Sequence, residues 1–161
     1  MPSLMRYINI VSRCAAIWRT DKLEGTELGD QHYSYILVVC RRPGISQDAI
    51  SRKLFINKSN VTRSLAYLEE HGFVTRERDS EDRRQTLVYP TEQALEILPK
   101  VREIIRGWNS YITEGFTEEE MEMYMAMTER IAARAAEYAK LSSDAYTDLD
   151  GGAKPKKEED K

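Results

Sequence analysis

The chain has 161 residues, 41% of them hydrophobic, and a formal net charge of −3. That is enough for one compact domain, or two small intertwined units, around a real core. It carries no run of ~18 apolar residues and no basic-then-apolar leader, which argues against a membrane partner and makes a soluble, cytoplasmic protein the expectation.

Charge is uneven along the chain. Residues 41–90 hold ten Lys or Arg against seven Asp or Glu, and the rest holds 14 against 20. A basic centre between acidic flanks is the distribution a nucleic-acid-reading segment needs, whatever the sign of the total.

Residues 4–19 place Tyr7, Val11, Cys14 and Trp18 on one face of a predicted helix, widened by Ile10 and Ile17. So broad an apolar face on a terminal helix requires a covering surface, from its own core or from another subunit. Asp21 to Gly29 reads as a loop, broken at Gly25 and Gly29. Gln31 to Arg41, with Tyr35, Ile36, Val38, Val39 and Cys40, is too apolar for a surface helix and ends in the turn Arg42-Pro43-Gly44. Cys14 and Cys40 both fall inside helix patterns, without metal-ligand spacing or a Cys-x-x-Cys pair. Two buried thiols are expected, with a redox sensor as the alternative.

Ser46 caps a short helix buried through Ala49, Ile50 and Leu54. Phe55-Ile56 is an apolar turn, Asn57 caps the next helix, and Gly72 closes it. Ser46–Leu54 and Lys58–His71 thus form a helix-turn-helix. Val61, Leu65 and Leu68 make a narrow apolar stripe on the second helix, which leaves Lys58, Ser59, Asn60, Thr62 and Arg63 facing outward. In a DNA major groove Arg63 or Lys58 matches guanine and Asn60 matches adenine, each contact giving roughly 1–3 kcal/mol of discrimination. An ordinary solvated helix face accounts for the same residues, but the next segment favours the first reading. Phe73-Val74-Thr75-Arg76 and Gln85-Thr86-Leu87-Val88-Tyr89 read as strands joined by a charged tip. Helix, strand, charged loop and strand is the order of a recognition helix and its wing.

Thr91 caps a long helix with Leu95, Leu98, Val101, Ile105, Trp108 and Ile112 at helical spacing, kinked by Pro99 and ended by Gly115. Thr117-Glu118-Glu119-Glu120 is a capping box for a last helix. Its inner face is Met121, Tyr124, Met125, Thr128, Ile131, Ala132, Ala135 and Tyr138. The predicted fold class is therefore mainly α with a small β-hairpin wing: a winged helix-turn-helix plus a second helical unit formed by both chain ends, a helical dimerisation unit if another subunit covers its apolar faces. Residues 1–30 are its N-terminal dimerisation helix and loop, 31–90 the winged helix-turn-helix, 91–141 the C-terminal dimerisation helices, and 142–161 a tail too small and charged to order itself. No nucleophile lies beside a base, and there is no Gly-rich phosphate loop or metal spacing, so no enzyme activity, cofactor or metal is expected. His32 and His71 stand alone; His71, near the end of the recognition helix, suits the helix carbonyls or a phosphate.

The stretch from Lys53 to Ala94 resembles the MarR family of bacterial winged-helix transcription regulators. The resemblance rests on Leu68-Glu69 through Gly72, on Phe73-Val74-x-Arg76, on Asp82-Arg83-Arg84 in the wing, and on Thr91-Glu92. Ala94 stands where the family often has Gly, and Pro90 where an apolar residue is common. The resemblance implies a homodimer whose first and last two helices interleave with the partner's. Each winged unit docks on half of a pseudo-palindromic operator in double-stranded DNA, with recognition helices about 34 Å apart. Candidate DNA contacts are Ser46, Gln47, Asn57, Lys58, Ser59, Asn60, Thr62, Arg63, Arg83 and Arg84, with Asp82 supporting the wing arginine that enters the minor groove. Repression of nearby genes, relieved by a small lipophilic or phenolic effector, is the implied mechanism. Trp18, His32, Tyr33, Tyr35 and Trp108 are the effector-pocket candidates, with plain core packing as the alternative for each. Two other readings stand beside it: an oxidant-sensing regulator using Cys14, and a winged-helix protein-interaction module.

Overall fold

A computed structural model of the chain describes residues 3–138; the tail expected at 142–161 lies outside them. In order the elements are α1 (Leu4–Leu23), a 3-10 turn (Asp30–His32), α2 (Tyr33–Arg41), β1 (Ile45–Ser46), α3 (Gln47–Leu54), α4 (Lys58–Glu70), β2 (Val74–Arg78), β3 (Thr86–Pro90), α5 (Glu92–Ile112) and α6 (Glu118–Tyr138). Four helix starts carry the expected side-chain caps. The amides of Ala49, Asn60 and Ala94 donate to Ser46, Asn57 and Thr91 at 3.2, 2.9 and 3.3 Å. At α6 the box is reciprocal, with Glu120 N donating to Thr117 Oγ1 (3.2 Å) and Thr117 N to Glu120 Oε2 (2.8 Å). Each cap satisfies an N–H that the helix leaves open, a stabilisation of about 1 kcal/mol.

The wing is larger than the expected hairpin. β2 and β3 pair antiparallel, and β1 joins the free edge of β3 with Ile45 opposite Val88. Two residues are too few to show a period, and Ser46 both closes this strand and caps α3, so only the cap was readable in sequence.

Helix α4 ends in a Schellman turn. Phe73 N donates to Leu68 O (2.8 Å) and Gly72 N to Glu69 O (3.1 Å), with Gly72 at φ 76. A Cβ at residue 72 would also lie 2.8 Å from Gln93 Oε1. The Thr91 hydroxyl donates toward the carbonyls of Gly72 (2.6 Å) and Phe73 (3.0 Å) while capping α5. The end of α4 and the start of α5 are thereby fastened at one side chain.

The core belongs to the winged unit and the helices that flank it. Ile36 and Val39 of α2, Ile50 of α3, Val61, Leu65 and Leu68 of α4, Phe73, Val74, Val88, Ala94 and Val101 are all buried. The chain ends differ. α1 buries only Ala15 and Leu23, and α6 only Ala136, while Tyr7, Ile10, Val11, Ile17, Tyr124, Met125 and Ile131 are exposed. On α5 the covered stripe runs through Ala94, Val101 and Ile104, and Leu95 points outward. The expectation of two buried thiols also needs correction: Cys14 is exposed on α1 and Cys40 half-buried.

Candidate nucleic-acid interface

α4 has two unlike sides. Val61, Leu65 and Leu68 sit in the core, and Lys58, Ser59, Asn60, Thr62 and Arg63 face solvent together with the cap Asn57. Packing α3 against α4 is what holds that outward side in place. Lys58 Nζ meets Asp48 Oδ2 at 2.8 Å. Gln47 Nε2 donates to Thr62 Oγ1 at 3.2 Å, and Thr62 Oγ1 donates to the carbonyl of Lys58 at 2.9 Å. Along α4 itself, Arg63 Nη2 donates to Asn60 Oδ1. The structure thus brings Gln47, Lys58, Asn60, Thr62 and Arg63 into one array, with Ser46 half-buried beneath its edge as cap and strand.

The wing tip holds Asp82, Arg83 and Arg84, all exposed. Asp82 accepts from the backbone N–H of Arg84 (3.0 Å) and from Gln85 Nε2 (3.3 Å), and its carbonyl accepts from Gln85 N (2.8 Å). Asp82 therefore shapes the turn through the backbone of Arg84, whose side chain is exposed. Arg78 Nη1 donates to the carbonyl of Arg83 at 3.0 Å and steadies the tip from β2.

Two fastenings were not singled out in sequence. Glu69 accepts from Arg76 at three points: backbone N (3.0 Å), Nε (2.9 Å) and Nη2 (2.6 Å). These hydrogen bonds hold the Glu69 carboxyl below its usual range and tie α4 to the first wing strand. The second is Tyr67, whose hydroxyl donates to the carbonyl of Glu27 at 2.9 Å. Its ring stacks on His71 (3.8 Å) and on His32 (4.5 Å). Tyr67 lies four residues after Arg63 and four before His71, off the apolar stripe, and that placement was the available signal. His71 Nδ1 lies 2.8 Å from the Tyr67 carbonyl, the helix-end contact expected of it.

The effector-pocket candidates fall in separate places. His32 and Tyr35 line a cleft of about 560 Å³ with Gln31, Ile56, Tyr67, Ser64, Asn60 and Arg63, between the start of α2 and the flank of α4. Both rings are nearly fully covered, His32 at 3% and Tyr35 at 1% exposure. His32 Nδ1 is buried without a partner, and burial lowers the His32 pKa against the opposing pull of Asp30, with His71 adding to the lowering. Tyr33 instead lies under the Arg19 guanidinium, 4.5 Å from its ring centre. Trp18 and Trp108 belong to an aromatic group on α1 and α5 with Tyr111, at centroid distances of 5.7–6.3 Å, where Trp18 Nε1 donates to the Ile104 carbonyl at 3.1 Å. One pocket gathering all five residues is not what the fold builds.

Compared with known proteins, residues 26–85 match the MarR family. The chain is 24% identical over 131 residues to YybA, an uncharacterised HTH-type transcriptional regulator of Bacillus subtilis (strain 168), covering 81% of this chain and 87% of YybA. Among solved structures it resembles the crystal structure of MarR, with a TM-score of 0.77, 29% identity, and 86% and 94% of the two chains covered. It shares its fold with a MarR family regulator from Listeria monocytogenes complexed with 26mer DNA, at a TM-score of 0.80 and 22% identity over 87% and 95% of the two chains.

Proposed function

We infer that the chain is a member of the MarR family of winged helix-turn-helix transcriptional regulators, whose model matches residues 26–85, and that it is a homodimeric, sequence-specific DNA-binding protein. It covers a promoter as a repressor and is released by a small lipophilic or phenolic effector. The observation that carries this reading is the outward array on α4, fixed from behind by a buried stripe and by α3, beside a wing tip with two exposed arginines. Such an array has base-reading side chains on a rigid helix and phosphate- or groove-seeking cations at its edge, the division of labour that DNA recognition needs. The Listeria relative seen with DNA supports the same reading.

Exposed apolar faces on α1 and α6 support the dimer, because surfaces such as Tyr7, Ile17, Met125 and Ile131 are those a second copy covers. The cleft lined by His32, Tyr35 and Tyr67 is the effector site we favour, since it has aromatic walls and a cation, Arg63, at its edge. Titrating promoter DNA at two salt concentrations tests the core of the proposal. Specific affinity should fall steeply as salt rises, because each neutralised phosphate releases counterions. Absence of binding, or binding indifferent to salt, would favour a protein-interaction module instead.

A further inference from the structure

Asn60 and Arg63 lie one helical turn apart at the start of α4, both exposed, and Arg63 Nη2 donates to Asn60 Oδ1. That bond changes what the pair can read. A free asparagine reads adenine by using both ends of its amide, accepting from the N6 amino group and donating to N7. Here one of the two lone pairs of the accepting end already holds a cation, so an adenine amino group brought to the other would lie beside guanidinium N–H groups, donor against donor. What the two side chains offer together is mainly donors: the Asn60 NH₂ and the remaining N–H groups of Arg63, against one lone pair left on Asn60 Oδ1.

From this geometry we infer that Asn60 and Arg63 act as one donor-rich reading unit that favours guanine over adenine beneath the start of α4. Guanine offers two adjacent acceptors, N7 and O6, on its major-groove edge; thymine offers one, and the adenine and cytosine edges each put an amino donor in the way. The bond to Asn60 also holds a long side chain in place before DNA arrives, so less freedom is lost on docking. Two neighbours limit rearrangement. The Asn57 side chain is committed to the Asn60 backbone amide (2.9 Å), and Lys58 is drawn to Asp48 (2.8 Å), so neither competes for the Asn60 carbonyl.

The inference rests on the DNA-binding reading, and one experiment separates the two. The full chain is used to select binding sites from a random double-stranded library, as wild type, Asn60→Ala, Arg63→Ala and the double variant. Circular dichroism of each variant checks the fold. The expected result is a guanine column in each half-site, preferred over adenine by about tenfold. Both single variants should flatten that same column, and the double variant should do little more than either. Arg63→Lys should also lose the column while keeping the salt dependence, because it keeps the charge and loses the fork. An adenine column that depends on Asn60, or single variants that flatten different columns additively, overturns the pairing while leaving DNA binding intact. If no sequence is enriched at any salt concentration, DNA binding itself fails and the pairing with it.

Discussion

Arg63 and Arg84 carry the same charge and are expected to fail in different ways. Arg63 stands on a rigid helix and is tied to Asn60, so Arg63→Ala should relax base preference with a cost of roughly 1–3 kcal/mol on the preferred site. Arg84 stands on a turn that Asp82 holds by its backbone, and Arg84→Ala should weaken binding to all sequences and lower the salt slope by about one. Competition assays on matched and scrambled DNA distinguish them; equal losses on every sequence for Arg63→Ala would demote it to a phosphate contact. His32 gives a prediction in pH. Burial holds its folded pKa below the ordinary histidine value of about 6.5, so between those two values the unfolded chain takes up a proton that the folded chain does not. His32 thus adds stability that is complete above about pH 6.5 and declines as pH falls below it. A proton on the buried Nδ1 would create an N–H with no acceptor, which gives the same direction. Urea midpoints at about pH 7.5 and pH 5.5 should differ, and His32→Phe, which keeps the stack on Tyr67, should shrink the difference. Cys40 is the opposite case, its thiol pushed up to about 11 by burial, and it should resist alkylation at neutral pH.

Between elements, short polar fastenings do the positioning. Glu69 joins the recognition helix to the wing through Arg76, so Glu69→Ala should free the wing from α4 and cost about 1–3 kcal/mol. Limited proteolysis within 79–85 would report it as faster cleavage; unchanged cleavage would mean the sheet alone fixes the wing. Gly72 is another such point, since alanine there meets both a positive φ and the Gln93 side chain. How much of this was legible follows from what carries a period or a local rule. The caps at Ser46, Asn57, Thr91 and Thr117, the stripe Val61-Leu65-Leu68 and the alternation around Val88 obey local rules and were readable. β1 was not, because its two residues pair with a strand some forty positions away. Nor was the Glu69–Arg76 clamp, since spacing alone cannot say that a turn brings i and i+7 together. Leu95 and Cys14 went wrong for a shared reason: a helical period gives a face but not which part of it this chain covers by itself. The outward side chains of α4 could be named from sequence, but their bonds to one another could not, and in the proposed DNA-binding role those bonds decide what each can read.

For the whole molecule, the uneven distribution of the core is the main fact. The winged unit is packed through, whereas α1 and α6 carry apolar side chains such as Ile17 and Met125 at about sixty per cent exposure, 61% and 57%. In the proposed dimer, replacing Ile131 or Tyr124 with a charged residue should give monomers. Light scattering would show the mass halved, and DNA affinity should fall by about a hundredfold or more because two half-sites no longer bind together. A variant that stays dimeric would remove those residues from the interface. Cys14 offers an independent reading of the same surface: exposed in the single chain, it should react slowly with a thiol reagent in the wild-type dimer and quickly in the monomeric variant.

The bare faces of α1 and α6 also set a timetable for biosynthesis. At ~5–20 residues per second, the ribosome needs roughly 5–20 s to pass from Leu23, the end of α1, to Glu118, the start of α6. The buried residues of the winged unit lie between those two points and are made before α6. Tyr7, Ile10 and Val11 of α1 are made before all of them and stay uncovered even when α6 is in place. In the proposed dimer the first helix made is therefore the last to be covered, and two ribosomes on one message supply the nearest second copy.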